Sequence, residues 1–209
     1  MQKERFVLGI HGDIGSGKSI VSKFLVNKLD FKCLSFADPV RRACFAIFNF
    51  TPDQMSDRNH KEIVDPRWGI SPRNAMRLLA TDLLREKVCE DIWIRNLHQR
   101  IETFCTQNSI VIDDVRYQNE VDFIENELKG TVIHIMRHKN PFEPHSSEHS
   151  SDCQQLAIKS GVVIYNDAGI DEIQVQLLFL LYNIGYFNKH IFEKMVEILN
   201  RTTDVCKRS

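Results

Sequence analysis

Hydrophobic positions along the chain alternate between short continuous runs and stretches with a helical period. Residues 6–10 (FVLGI) are a short apolar run, and apolar side chains then recur at helical spacing from Ile20 to Leu29. Four further short runs predict strands: residues 33–36, 109–113, 131–136 and 161–166. Short apolar runs that end at turn residues are typical of buried parallel strands. Strands that alternate with helices predict a three-layer α/β domain, with a parallel sheet between helices on both faces.

Helix starts follow from capping residues and prolines. A helix is predicted from Pro39 with Asp38 as its cap, and others from Ser71-Pro72 and from Asp91. Further helical patterns cover residues 117–128, 170–183 and 187–200. Two polar, proline-containing segments interrupt the pattern, residues 51–71 and 138–152. We interpret the first as a long loop or small insertion and the second as a mobile loop.

Size and charge restrict the classes of partner. The chain has 209 residues, which suits one domain with an insertion, and its net charge is -1 at pH 7. A protein without a global basic field is a poor candidate for binding DNA or RNA. A small anionic substrate fits better, because a few local arginines and lysines are enough to hold it.

The cysteines and the apolar segments predict the compartment. The six cysteines are scattered and form no C-x-x-C pair, as expected of free thiols in a reducing compartment. The first residues, MQKERFVLGI, contain no long apolar signal, and no window reaches the length of a membrane span. We therefore expect a cytoplasmic protein without a membrane partner. The apolar helices at residues 170–183 and 187–200 leave a homodimer open.

The stretch GDIGSGKS, from Gly12 to Ser19, has the spacing G-x-x-x-x-G-K-[ST] of a phosphate loop. The glycines let the backbone turn so that N–H groups face phosphate oxygens, along Asp13, Ile14, Gly15, Ser16 and Gly17. Lys18 supplies a cation for the β- and γ-phosphates, and the Ser19 hydroxyl can ligate Mg²⁺. A chance glycine-rich turn is the alternative, but the position between a strand and a helix favours ATP and Mg²⁺ as ligands.

An acidic partner for the metal is expected at the end of a neighbouring strand. The segment SIVIDDVR offers Asp113 and Asp114. Because side chains alternate along a strand, the two carboxylates face different ways. One can reach the metal through water while the other caps the next helix, and both could also be simple caps.

Arginines are the candidate catalytic residues, and a general base is not required. A phosphoryl group in transfer carries spread negative charge, and an ionised acceptor phosphate is already a nucleophile. The candidates are Arg41, Arg42, Arg73, Arg77, Arg116 and Arg137. Any of them could instead be a solvated surface residue. Arg73 stands out because a cation at a helix start needs an anion nearby, and Arg137 because it directly follows an apolar strand.

The two tryptophans and a group of histidines are weaker candidates. Trp93 lies in an apolar helical pattern and is expected in the core, whereas Trp68 lies in a polar segment and could stack on a base. His145, His149 and Cys153 are spaced by four, as zinc ligands on a helix would be, but Pro144 argues against a helix there.

The motifs after the phosphate loop carry a family resemblance. SFADPVR, GISPRNAMRLLATD, EDIWIRNL, VIDDVRYQNEVDFIE, HSSEH and VIYND follow one another in this order. Together they resemble the deoxynucleoside monophosphate kinase family of P-loop kinases, known from phages and large DNA viruses. The resemblance implies a five-stranded parallel sheet of order 2-3-1-4-5 and transfer of the ATP γ-phosphoryl group to a deoxynucleoside 5′-monophosphate. Dephospho-coenzyme A kinase, phosphomevalonate kinase and a P-loop ATPase or regulator remain alternatives.

The resemblance also implies residue roles. ATP would be held by Gly12, Gly17, Lys18, Ser19 and, at the adenine, Asn166; the acceptor by Asp38, Arg41, Arg42, Trp68, Arg73 and Arg77; and Lys18, Asp114, Arg116 and Arg137 would act in catalysis. An acceptor-binding insertion would span residues about 39–105 and a lid about 137–152. This chain reads LATD, ending at Asp82, where the family often has L-G-T-E, and its lid is poor in arginine.

Overall fold

The computed structural model describes residues 5–57, 59–137, 161–167 and 169–206, with the backbone alone for residues 200–206. The predicted lid beyond Arg137 and the group His145, His149 and Cys153 lie outside these residues. The described chain divides into two compact units, one of Met1–Cys33 with Gln107–Ser209 and one of Leu34–Thr106. No helix in the described ranges is both long and apolar enough to cross a membrane.

A five-stranded parallel sheet of order β2-β3-β1-β4-β5 organises the first unit, which confirms the predicted topology. Its strands are β1 (Val7–His11), β2 (Lys32–Leu34), β3 (Ile110–Ile112), β4 (Thr131–Met136) and β5 (Val162–Tyr165). Its helices are α1 (Lys18–Leu29), α6 (Gln118–Asp122), α7 (Ile170–Asn183) and α8 (Lys189–Cys206), and the π-helical segment Phe123–Glu127 follows α6. The strand β1 is central, with Leu8 opposite Val111 on β3 and Thr131 on β4.

Both faces of the sheet are covered within this unit. Leu8 and Ile10 on β1 belong to a buried cluster with side chains of α1 and α7, among them Leu25 and Leu177. The opposite face carries Gly9, where an added Cβ would meet side chains of the Phe123–Glu127 segment, of Val115 and of β4. Because side chains alternate along a strand, β1 is buried from both sides, as its continuous apolar run predicts.

The second unit contains mainly short helices. They are α2 (Asp38–Phe48), α3 (Pro52–Ser56), a 3₁₀ turn (His60–Glu62), α4 (Pro72–Arg77), a π-helical segment (Leu78–Val88) and α5 (Ile92–Phe104). The Ser71 side chain caps α4 by accepting the N–H of Asn74 at 3.3 Å, at the predicted start. The described part of residues 51–71 contains α3, the 3₁₀ turn and an isolated bridge between Asp65 and Ile70, so this segment is not an unstructured loop.

Two local predictions are wrong. The strand predicted over residues 33–36 is β2, Lys32–Leu34, and the Ser35 N–H donates to the Asp38 carboxylate at 3.1 Å instead of to the sheet. The helix α2 begins at Asp38 itself, and Ala37 is its N-cap. Asp38 is therefore the first helical residue and not the cap, and its carboxylate accepts the N–H of Ser35.

Candidate active site

The loop from Gly12 to Ser19 joins β1 to α1 and has backbone geometry that only glycine adopts easily. Its φ angles are 149° at Gly12, 82° at Gly15 and 112° at Gly17. A Cβ at Gly12 would lie 2.4 Å from the carbonyl oxygen of Ile135, and one at Gly17 would lie 2.4 Å from Asn166 Nδ2. The glycines are therefore required both by conformation and by close packing.

Lys18 folds back over this loop. Its Nζ donates to the carbonyl oxygens of Gly12 at 2.6 Å and Asp13 at 2.8 Å. Partial burial and, next, the Arg116 guanidinium lower the pKa of Lys18, while the carboxylates of Asp13, Asp113 and Asp114 oppose this shift. The ammonium is thus held by loop contacts and contributes little to the apolar core.

A cavity of about 380 Å³ opens at the loop. It is lined by Gly15, Gly17, Lys18, Ser19, Ile20, Asp113, Arg137 and Asn166. Residues predicted for the phosphates, the metal and the adenine therefore share one cavity within the first unit, although Gly12, Asp13, Ile14 and Ser16 are not part of its lining. Of the two candidate carboxylates, Asp113 lines this cavity, whereas Asp114 acts on Lys18 from outside its lining.

The donor set at the cavity fits Mg²⁺. Ser19 offers an exposed hydroxyl, and Asp113 offers a half-buried carboxylate. Mg²⁺ in nucleotide sites takes hard oxygen ligands, usually one or two protein groups together with phosphates and waters. The two side chains therefore suit a magnesium ion that is bound together with a triphosphate.

Arg116 lies on a turn that a buried carboxylate holds in place. The backbone N–H groups of Arg116 and Tyr117 donate to Glu120 Oε2 at 2.8 and 3.1 Å, and Glu120 is 2% exposed. Glu120 was not among the site residues predicted from the sequence. Its position three residues after Tyr117, at capping-box spacing, was the available signal.

Two neighbouring histidines lie beside the loop with their rings tilted by 54°, and neither was predicted from the sequence. His11 is buried at the end of β1, and its ring centroid is 4.8 Å from that of His134 in register on β4. His11 Nδ1 is 3.0 Å from the carbonyl oxygen of Val115, so this nitrogen carries the proton. Burial, then His11, and also Lys18 lower the pKa of His134, while Asp13 opposes them.

In the second unit, Asp38 lies between two arginines. Arg41 Nη1 donates to Asp38 Oδ1 at 2.9 Å and to Ser35 Oγ at 3.1 Å. Arg100 Nη1 donates to Asp38 Oδ2 at 3.1 Å, and its Nη2 to the Ser35 carbonyl at 2.7 Å. Two guanidinium groups around one carboxylate leave an excess positive charge. Arg100 was not predicted as a site residue, because it lies on α5 beyond the EDIWIRNL motif.

The other acceptor candidates also contact groups within this unit. Arg73 Nε donates to Glu62 Oε1, and Arg77 Nη1 donates to both carboxylate oxygens of Asp82 at 2.9 and 2.8 Å. Trp68 is 48% exposed, and its Nε1 donates to the Phe48 carbonyl at 2.8 Å. Arg42 is exposed on α2. Trp93 is buried, as expected of a core residue, and donates to the Ala80 carbonyl at 3.0 Å.

The sheet order, the glycine loop between β1 and α1 and the lysine that it carries define a P-loop kinase. The family model for deoxynucleotide monophosphate kinases matches residues 53–177. The chain belongs to this family and is a nucleotide kinase, which decides against the other kinases and the ATPase that the sequence left open.

Individual relatives agree with this membership. A provisionally named deoxynucleotide monophosphate kinase of Acanthamoeba polyphaga mimivirus is 33% identical over 87% of this chain and 99% of the relative. A deoxynucleoside-5'-monophosphate kinase of Escherichia phage T5 is 25% identical over 70% of this chain and 83% of the relative. The structure of shikimate kinase from Aquifex aeolicus aligns with 88% of this chain over 100% of its own length, at 12% identity and a TM-score of 0.47. Nothing further follows from this likeness.

Proposed function

We propose that this protein transfers the γ-phosphoryl group of ATP to the 5′-phosphate of a deoxynucleoside monophosphate and releases ADP and the diphosphate. The observation that carries the proposal is the cavity at the glycine loop, where Lys18, Ser19, Asp113 and Arg137 meet. Family membership supplies the acceptor class, because the phage T5 relative is named for deoxynucleoside 5′-monophosphates.

The donor would be held by the first unit. Backbone N–H groups of the loop from Gly12 to Ser19 bind phosphate oxygens, and the N-terminal end of α1 favours negative charge at the same point. Lys18 leaves its contacts with the loop carbonyls to bind the β- and γ-phosphates. Its present partners, the carbonyls of Gly12 and Asp13, support this role, because they hold the ammonium at the loop without burying it in the core.

The metal would be held by Ser19 and, through water, by Asp113. When bound, Mg²⁺ offsets charge on the phosphate oxygens. Asp114 directly follows Asp113, Arg116 lies two positions further on, and both influence Lys18 electrostatically. We assign Asp114 to positioning of this turn and Arg116 to the pool of cations that stabilise the transferred group.

Arg137 is the best-supported cation for the transition state. It follows β4 directly and lines the cavity with Lys18. A planar guanidinium can donate two parallel hydrogen bonds to phosphate oxygens. Since the acceptor phosphate is already ionised, these cations and the exclusion of water supply the catalysis, and no general base is needed.

The acceptor would be bound by the second unit, which contains the whole predicted insertion of residues 39–105. Asp38, Arg41 and Arg42 on α2 and Arg73 and Arg77 on α4 are the proposed polar contacts. The half-exposed ring of Trp68 is the proposed platform for the base. Each guanidinium has five N–H donors, so an existing carboxylate contact leaves capacity for a phosphate.

We propose that the enzyme is cytoplasmic and acts on a small molecule and not on nucleic acid. Cys44, Cys89 and Cys105 are free thiols, which suits a reducing compartment. The net charge of -1 gives no basic field for DNA or RNA. A homodimer through the apolar helices α7 and α8 stays a prediction, and sedimentation velocity would test it.

A coupled assay for ADP release tests the function. The four deoxynucleoside monophosphates, the matching ribonucleotides and dephospho-coenzyme A are offered with Mg²⁺-ATP. We expect at least one deoxynucleotide to raise turnover well above the water background, with one diphosphate formed for each ADP. If only ribonucleotides or dephospho-coenzyme A stimulate turnover, or if no acceptor does, the proposed acceptor class is wrong.

A further inference from the structure

Asn166 lies directly after β5 and is 5% exposed, yet it lines the cavity at the phosphate loop. Its backbone N–H donates to the Met136 carbonyl at 2.8 Å, just before Arg137. Its side-chain Nδ2 donates to the backbone carbonyl of Ser16 at 2.7 Å, a contact between residues 150 positions apart. One buried asparagine thus joins the end of β4, the end of β5 and the phosphate loop.

The contact falls where the loop becomes a helix. Gly17 is the N-cap of α1 at φ 112°, and a Cβ there would lie 2.4 Å from Asn166 Nδ2 and 3.3 Å from its Cγ. The carboxamide therefore packs against the Ser16–Gly17 peptide as well as binding its carbonyl. In a planar trans peptide the carbonyl and the following N–H point in opposite directions. A bond that fixes the Ser16 carbonyl also fixes the direction of the Gly17 N–H.

We propose that Asn166 is a positioning residue for the triphosphate, acting through the Ser16–Gly17 peptide, and that its side chain is not an adenine-recognition group. The resemblance to known kinases suggests adenine for this position. The structure instead directs the side-chain donor to the loop that binds phosphates. The inference rests on the proposed function only in that the loop must bind a triphosphate.

Inorganic tripolyphosphate separates the two roles, because it has the phosphates of ATP without base or sugar. Binding of Mg²⁺-ATP and of Mg²⁺-tripolyphosphate is measured by calorimetry for the wild type, Asn166→Asp and Asn166→Ala. Asn166→Asp keeps the shape of the side chain but replaces the N–H donor with a carboxylate oxygen that faces the Ser16 carbonyl. Asn166→Ala removes the carboxamide. We expect both ligands to lose at least about tenfold in affinity, by similar factors, as for a buried carbonyl that loses its partner.

Gln176 provides a matched control. Its Nε2 donates to the Tyr165 carbonyl at 2.9 Å, and its Oε1 accepts the Tyr165 N–H at 3.0 Å, so it is also an amide bound to β5. It does not line the cavity. We expect Gln176→Ala to lower Tm slightly and to leave both affinities within twofold of the wild type. Steady-state kinetics should show kcat falling in the Asn166 variants, because a misdirected N–H also weakens stabilisation of the transferred group.

Three outcomes would overturn the proposal. If the Asn166 variants lost affinity for ATP but kept their affinity for tripolyphosphate, Asn166 would be assigned to the adenine. If the affinity for both ligands were unchanged, Asn166 would have no role in binding the triphosphate. If both Asn166 variants fail to fold while Gln176→Ala folds, the residue is structural. Tripolyphosphate binding needs no acceptor, so a wild type that binds it through Asn166 but phosphorylates no deoxynucleotide would refute the proposed function alone.

Discussion

Lys18 contacts the phosphate loop and not the apolar core. Its ammonium contacts two loop carbonyls and lies near Asp13, Asp113 and Asp114. None of these contacts is part of the apolar cluster around β1. Removal of the ammonium should therefore cost activity and leave the sheet intact.

We expect Lys18→Ala to lower kcat by on the order of 10²–10³-fold, the usual effect of deleting one group that stabilises transition-state charge. The coupled assay for ADP release measures the rate, and thermal unfolding measures stability. Lys23→Ala is the control, because Lys23 is exposed on the same helix. Loss of folding in Lys18→Ala but not in Lys23→Ala would show that the lysine is structural.

His134 predicts a pH dependence of stability. Its pKa in the folded protein is lowered from the ordinary value of 6.5, by burial first and then by His11. The unfolded chain therefore binds more protons than the folded chain as the pH falls below 6.5. The free energy of unfolding is thus undiminished by His134 above that pH and declines as the pH falls. Lys18 adds to the shift, and Asp13 counteracts it.

The expected result is a steeper loss of unfolding free energy below pH 6.5 in the wild type than in His134→Gln. Urea unfolding at several values between about pH 5 and pH 8 measures it. His98→Gln is the control, since His98 is exposed on α5. Parallel curves for the wild type and His134→Gln would contradict the assignment.

Periodicity in the sequence predicted the elements of the first unit well. The strand β4 and the helix α7 have the predicted bounds, Thr131–Met136 and Ile170–Asn183. Both have uninterrupted patterns, bounded by a glycine or by a polar segment. The strand β2 was misjudged because the Asp38 carboxylate takes the Ser35 N–H out of the sheet, and a side-chain contact of this kind leaves no trace in periodicity.

The π-helical segments were also beyond prediction. Apolar spacing at Leu79 and Leu83 suits an α-helix, yet residues Leu78–Val88 form a π-helix. The ion pair of Arg77 with Asp82 joins positions five apart, the spacing of a π turn. The phosphate loop could be predicted because its residues are contiguous. The partners of Asp38 on α5 and of Ser16 after β5 could not, because 62 and 150 positions separate them in sequence.

The central strand β1 gives a stability prediction. A Cβ at Gly9 would lie 2.8 Å from Ile124 Cδ1 and 3.1 Å from side-chain carbons of Val115 and Val132. We expect Gly9→Ala to lower the free energy of unfolding by about 1–3 kcal/mol, the usual cost of overpacking a core. Urea unfolding measures the change.

Two further variants test the cause. In Gly9→Ala/Ile124→Val the Cδ1 atom is gone, so the two substitutions should cost less together than the sum of their separate effects. Gly161→Ala is the control for a glycine-to-alanine change, because, among the described residues other than its chain neighbours, none has an atom within 4 Å of a Cβ there. Strict additivity of the two core substitutions would show that Ile124 is not the obstacle.

The molecule divides its proposed chemistry between two units. Donor and metal residues belong to the first, and the acceptor arginines of α2 and α4 belong to the second. Substitutions should therefore separate in kinetics, with changes in the second unit acting on the acceptor alone. Arg73 is the sharpest case, because its present partner, Glu62, can be changed independently.

We expect Arg73→Ala to raise KM for the deoxynucleotide by about 10–100-fold, the effect of losing a hydrogen bond to a charged group, and to leave KM for ATP nearly unchanged. Glu62→Gln removes the competing carboxylate but keeps the guanidinium, so acceptor KM should stay constant or fall. If Arg73 served only its ion pair, both variants would shift Tm alike and neither would change acceptor KM. Initial rates with each substrate varied in turn, together with thermal unfolding, distinguish an arginine that binds the acceptor from one that merely pairs with Glu62.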